Sequence, residues 1–410
     1  MKLRDLVSIS MKSLVRNKAR AVLTMLGIVI GIGSVILMLS VGKAAENFLL
    51  ANVASFGPDV VIIANGSGDQ GGGGPSPLLK QTLTYNDYRE LKRQPWVESA
   101  LGTIVSSGVA TYGPENMNVS VWGSTPGEIE IYPSKVADGR FLLDDDVDGR
   151  AKVVVIGANV ARELFGDESA VGKLMKVRRV NYRVVGVMEK AGTRFFTKLD
   201  DLVYIPLTSA MDLFNKDRMN FLSLKPRDMT PNEAKEEIRF LMRDTHKLDN
   251  PNGDLSKDDF QVGTQEDAQK NAGTIGQVLS ILLGSIAAIS LVVGGIGIMN
   301  IMYVTVTERT SEIGLRKALG AKSADVLGQF LSEAIAVTCV GGVIGIIFGV
   351  FMSWLTIQIL NQFQPGWTFM LSVDSIFLAF GVSAIIGIVF GYAPARRASK
   401  LSPIEALRYE

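Results

Sequence analysis

The sequence predicts a membrane protein: four transmembrane helices with a large α+β extracytoplasmic domain between the first and second. Three observations carry that fold class. Four stretches hold no charged residue, namely 21–42, 271–307, 334–373 and 375–395. Residues 43–270 are instead rich in charge, with 28 basic and 33 acidic side chains, and alternate helical with β-rich runs. Finally, 47% of the chain is hydrophobic and the mean hydropathy is +0.24. That is high for a soluble protein and low for one embedded throughout.

Residues 1–20 carry six basic side chains (Lys2, Arg4, Lys12, Arg16, Lys18, Arg20) against Asp5 alone. Leu3, Leu6, Val7, Met11 and Leu14 share one helical stripe, which predicts an amphipathic helix on the inner membrane surface. A helix crosses the hydrocarbon core with about 20 residues, so 21–42 supplies the first span. Its uncharged run is longer than the roughly 7–15 residues of a signal-peptide core, and it reads as a retained anchor.

The extracytoplasmic domain is expected over 43–263. Asp59–Ala64 is β-rich, and the glycines at 71–74 place a flexible loop over Gly66–Pro77. Thr84 and Asp87 have the spacing of a capping box opening a helix to about Arg93. Val153–Ile156, Met175–Val180, Arg183–Met188 and Leu202–Ile205 read as strands, with Ala158–Phe165 a short helix between the first two. Thr230, Pro231 and Glu233 combine an N-cap, an N1 proline and an N3 glutamate, starting a helix to about His246. The mixed pattern is interrupted near Pro126–Asp148, which suggests two lobes.

Thr264 and Asp267 form another box, and no proline follows until Pro365. The helix starting there takes in the uncharged run 271–307, about 55 Å long at 1.5 Å per residue and well beyond the hydrocarbon thickness. It reads as a stalk continued by the second span (264–307), with Gly294 and Gly295 as places to kink. A charged cytoplasmic segment follows at 308–333. The third span takes 334–360, an outer loop with Pro365, Gly366 and Trp367 takes 361–374, and the fourth span takes 375–395. The tail, 396–410, carries Arg396, Arg397, Lys400 and Arg408 against two acids. The positive-inside rule puts both termini and 308–333 in the cytoplasm and the acidic domain outside. The single cysteine, Cys339, falls in the third span, so the outer domain has no disulfide.

No ionisable side chain lies within a span core, which argues against a proton path or a hydrophilic solute path between these helices. Small residues recur instead at close-packing intervals: Gly27 and Gly31; Gly341, Gly345 and Gly349; Gly387 and Gly391. They serve either the bundle of one chain or a seam with a second chain.

Catalytic chemistry is not in view. No phosphate-binding loop with a lysine–hydroxyl ending occurs. The nearest approach, Gly166–Leu174, has one residue too many between its glycines and no hydroxyl after Lys173. His246 is the only histidine, too few for a His-based triad or a His-rich metal site. Asp144, Asp145, Asp146 and Asp148 lack the alternation of a calcium loop and read as a solvated acidic turn. No basic face for nucleic acid appears, and no cofactor or metal is expected in this chain.

The most informative segment is Glu308–Ala321. A short charged helix pinned between spans cannot lie in lipid, and it is well placed to take force from a soluble partner. Glu308, Arg309, Glu312, Arg316 and Lys317 are its polar contacts, and Ile313, Leu315 and Leu319 dock it. Gly314 and Gly320 permit close approach or a turn. Arg309–Glu312 and Glu312–Arg316 have the spacing of ordinary intrahelical pairs, worth about 0.2–0.5 kcal/mol each.

With these residues in hand, the chain resembles the FtsX-like permeases of ABC exporters, specifically the macrolide-exporter (MacB-type, type VII) branch. The resemblance covers essentially the whole chain. It is carried by 17–31, 293–302, 306–321, 387–396 and 403–407, which are specific together although the glycine patterns alone are weak. It implies a bacterial inner-membrane permease working as a homodimer or heterodimer. ATP and magnesium would be handled by cytoplasmic ATPase domains. Since this chain begins with the membrane part, the ATPase is expected as a separate subunit. A periplasmic adaptor and, in a two-membrane cell, an outer-membrane channel are also implied. The expected mechanism is mechanical: ATPase closure moves Glu308–Ala321, the stalk carries the stroke outward, and the outer domain expels an antibiotic, peptide or other small molecule. Lipoprotein release and signal relay to a cell-wall hydrolase or sensor kinase fit the same architecture.

Overall fold

The computed structural model describes residues 18–54, 57–67, 80–194, 197–371 and 373–407. The amphipathic helix expected over 2–16 and most of the glycine loop lie outside them. The chain divides into a strand-and-helix domain, Leu49–Gly273, and a helical unit of Met1–Phe48 with Thr274–Glu410.

The helical unit is built from four helices long and apolar enough to cross a membrane. They are α1 (Lys18–Ala54), α8 (Gln265–Glu308), α10 (Ser323–Phe363) and α11 (Val373–Ser399), with the short α9 (Thr310–Ala318) and α12 (Pro403–Leu407) beside them. The protein is thus a multi-pass membrane protein. Every long helix overruns its uncharged stretch. α1 continues past Gly42 to Ala54, and α10 begins at Ser323 rather than Ala334, so helix geometry does not stop where charge resumes. With 44 residues, α8 is about 66 Å long.

The glycines set how closely these helices approach. A Cβ on Gly349 would sit 2.8 Å from the Gly33 carbonyl oxygen, and one on Gly345 would sit 3.1 Å from that of Val29, so α1 and α10 touch backbone to backbone. Gly27 faces Gly294 and Gly31 faces Leu291 on α8. Gly341 faces Ile28, while Gly387 and Gly391 face Thr338 and Ala334. All seven glycines singled out in the sequence therefore lie against helices of the same chain. Hydroxyls on the buried stripe of α10 donate within the helix, Thr338 to the Ile335 carbonyl and Ser353 to that of Gly349, so no partner on another helix is needed. In the last turn of α10, the Asn361 side chain holds the following turn by donating to the Trp367 carbonyl and accepting from the Gly366 and Trp367 N–H groups. Trp367 in turn stacks on Phe48, with ring centroids 4.6 Å apart.

In the other unit, twelve strands and six α-helices among the described residues surround one main core. The capping boxes form as written. Thr84 opens α2 (Tyr85–Lys92), Thr230 opens α7 (Pro231–Thr245), and Asp267 accepts from the Thr264 N–H ahead of α8. β1 (Val61–Asn65) lies between β11 (Phe221–Pro226) and β12 (Phe260–Thr264). The spine of the domain is β2 (Val97–Tyr112), which was not expected from the residue pattern. Its first half pairs with β11 and its second with β3 (Glu115–Ser124), across a two-residue turn in which Gly113 supplies a φ of +57°.

From β3 the ladder runs to β10 (Leu202–Pro206), β5 (Val153–Ile156), β7 (Val180–Met188) and β6 (Leu174–Val177), and β6 returns to β2. Six strands thus close on themselves around Val121, Val154, Ile156, Val177, Val184 and Val203, all fully buried. The edge beyond β7 carries β4 (Val136–Gly139), and β8 (Thr193–Arg194) pairs with β9 (Thr197–Lys198) apart from the main sheet.

Two expectations are corrected here. Met175–Val180 is not one strand, because the chain reverses at Arg178, whose φ is +56°, to make the β6–β7 hairpin. Arg178 lies over the Phe214 ring at 5.2 Å, a contact that offsets this strained conformation. The acidic run forms the one-turn helix α4 (Asp144–Asp148), in which Asp144, Asp145 and Asp148 are solvated as expected but Asp146 is not. Its Asp146 is buried, accepting from Arg140 at 2.6 Å and from the Leu143 N–H. The remaining helices, α3 (Gly127–Ile131), α5 (Ala158–Phe165) and α6 (Leu207–Phe214), cover the sheet.

Candidate functional site

Charge resumes at Glu308, the last residue of α8, and the helix breaks at Arg309 (φ −106°, ψ 17°). The break is shallow. Thr310 donates its hydroxyl to the Val306 and Thr307 carbonyls, and the Ile313 N–H reaches the Arg309 carbonyl at 3.0 Å. α9 ends in a two-bond stop: the Gly320 N–H donates to the Lys317 carbonyl and the Ala321 N–H to that of Arg316, each at 3.1 Å. The φ of +98° at Gly320 lies in the left-handed region that a Schellman stop requires, so the residue there is glycine. α10 starts at once, and α9 with the inner end of α10 forms a helical hairpin.

The hairpin sorts the predicted site residues into two faces. Facing inward, Ile313 is 2% exposed within the core of the helical unit, and Gly314 is buried beside it. Lys317 donates to the Ser399 carbonyl at 2.7 Å and the Leu401 carbonyl at 2.8 Å, fastening α9 to the end of α11. Arg309 reaches Glu333 on α10 at 3.2 Å. The expected Arg309–Glu312 pair is not formed among the described residues, because the break at Arg309 takes its side chain off the α9 helical register. The Glu312–Arg316 pair does form, half-exposed, and Arg316 also donates to Gln329 of α10. Facing outward, Leu315 is 54% and Leu319 81% exposed, beside exposed Glu308, Ser311, Glu312 and Gly320. On the neighbouring α12, Ile404 is 79% exposed.

Sequence reasoning missed Glu333, Gln329 and the carbonyls at Ser399 and Leu401. Only Glu333 left a signal, as the last charge before a 40-residue uncharged run.

Groups elsewhere that carry chemistry are absorbed structurally. Lys173 pairs with Glu168 and lies over the Tyr112 ring, while Gly166 and Gly172 hold positive-φ turns, as suits a surface loop. His246 places Nδ1 2.7 Å from Asp259 and Nε2 3.1 Å from Asp87. Burial works against its charge, but the two carboxylates prevail and raise its pKa above the ordinary value. No cluster of three or more metal-ligating side chains occurs among the described residues.

Comparison with known proteins agrees with this arrangement. Residues 21–241 match the family described as MacB-like periplasmic core domain, and 284–403 match FtsX-like permease C-terminal. The chain is 40% identical over 403 residues to a macrolide export ATP-binding/permease protein MacB of Bdellovibrio bacteriovorus, covering 97% of this chain and 61% of that protein. Against proteins of the same description it is 38% identical for Chlorobium luteolum and 34% for Escherichia coli K12, covering 97% and 99% of this chain and 59% and 61% of theirs. The chain thus spans about three-fifths of the length of these curated relatives. With more than half of its residues inside one family match and most of the rest inside the other, the chain belongs to the MacB-like, FtsX-type permease family.

Proposed function

We propose that this chain is the permease part of an ATP-driven ABC efflux system and that it works by mechanotransmission. The observation that carries this reading is α9: a helix fixed on its inner face at three places, offering Leu315 and Leu319 outward, and set between two spans. Such an element passes force without conducting solute. An ATP-hydrolysing partner seats on that outer face, and its closure moves the hairpin. The spans, close-packed through glycine contacts and without charged side chains in their cores, carry the movement to the outer domain. That domain expels an antibiotic, peptide or other small molecule. The family resemblance supports an ATP-hydrolysing domain or subunit, a second permease chain, and a periplasmic adaptor with an outer-membrane channel as partners. Charge distribution supports an inner-membrane location with both termini cytoplasmic.

Substituting Leu315→Asp and Leu319→Asp together tests the seat. Both side chains are exposed, so folding should be preserved. Co-purification of the ATPase and its stimulated ATP turnover should fall about tenfold or more, the equivalent of roughly 1.4 kcal/mol of lost contact. Unchanged binding and turnover would remove α9 from the coupling interface.

A further inference from the structure

The helix α7 sorts its charges by face. Its three basic side chains are largely covered and paired: Lys235 with Asp267 at 2.7 Å, Arg239 with Glu236 at 2.6 Å and Arg243 with Asp258 at 2.7 Å, none more than 19% exposed. Its four acids, Glu233, Glu236, Glu237 and Asp244, are all exposed, and the next base, Lys247, lies past the helix end. Phe240 stands among these acids at 76% exposure. No other aromatic side chain is exposed among the described residues of Leu49–Gly273. Helical spacing puts Phe240 and the four acids on one face. An aromatic anchor inside a charged rim is how a protein interface is built. The same helix is fastened at its N-terminal end to the first turn of α8, where Asn232 donates to Glu266 at 2.9 Å and Lys235 to Asp267.

We propose that this face of α7 docks a partner protein that presents lysine or arginine side chains around an apolar notch, with Phe240 as the anchor. Charge decides the occupant. Two copies of the face meeting across a two-fold axis would set acid against acid, and an anionic membrane surface would repel it. A basic protein surface answers both the rim and the ring. The inference rests on the export reading above, in which that partner is the adaptor. Through Asn232 and Lys235 the docked partner is held against the helix that continues into the second span.

The test uses the full chain in lipid nanodiscs and the purified adaptor, with affinity measured at about 50 mM and about 300 mM salt. Phe240→Ala should weaken binding about tenfold or more at either salt, as loss of an interface anchor does. Glu237→Lys with Asp244→Lys should weaken it about tenfold at the lower salt and remove most of its salt dependence. All three side chains are exposed, so thermal unfolding should be unchanged in both variants. Unaltered affinity in both variants removes the partner from α7. A change in the oligomeric mass of the chain with adaptor affinity kept assigns the face to a second copy, which also overturns the proposal. An unsubstituted chain that binds no adaptor at either salt overturns the adaptor reading itself, and this docking with it.

Discussion

His246 shows how a residue with the look of chemistry can be a structural tie. Carboxylates only accept, so a ring with a carboxylate at each nitrogen must donate from both and carry the charge. The ring joins the C-terminal end of α7 to the Asp87 capping box of α2 and to Asp259 just before β12. Because its pKa is raised in the fold, its contribution is complete below the unfolded value of about 6.5 and disappears as pH rises through the folded value. Hydrogen exchange on the full chain should therefore show residues 84–92 and 245–260 opening more readily at pH 9 than at pH 6. His246→Phe should flatten that difference, and an equal pH dependence in the variant would show the charge to be idle. None of this was legible in the sequence, where a lone histidine gives no hint of two carboxylates far along the chain.

At the scale of elements, the spans were legible because lipid excludes charge, and the capping boxes because their partners lie three residues apart. The strand Val153–Ile156 and the helix Ala158–Phe165 were likewise written locally. β2 and β3 were not, since Ser106, Ser107, Gly108, Asn116 and Asn118 dilute the apolar alternation and the pairing is settled by burial against β6, β10 and β11. The segment Glu308–Ala321 was legible as a charged insert between spans. Its two faces were not, because Lys317 is fastened 82 and 84 residues away and Arg309 24 residues away. Glycine contacts give the element-scale prediction. Gly349→Leu must push against the Gly33 backbone and Ile36, and overpacking of this kind costs about 1–3 kcal/mol. Gly381→Ala, where an added Cβ meets nothing within 4 Å, should be nearly neutral. Thermal unfolding of the two variants in detergent should separate them, and equal stability would mean that α1 and α10 are not in close contact.

For the whole molecule, the division of labour follows from where polar chemistry is allowed. The span cores have no Asp, Glu, Lys, Arg or His, and the strand-and-helix domain has no metal cluster among its described residues. The proposed mechanism runs from α9 through the four long helices to the strand-and-helix domain. Hydrogen exchange of that domain, with the chain reconstituted beside its ATPase and trapped with ATP, magnesium and vanadate, tests this most directly. The account predicts that trapping changes exchange within Leu49–Gly273, and that the change vanishes when Leu315→Asp and Leu319→Asp are introduced. An outer domain that does not respond to trapping, or that responds equally with the α9 face removed, would contradict it.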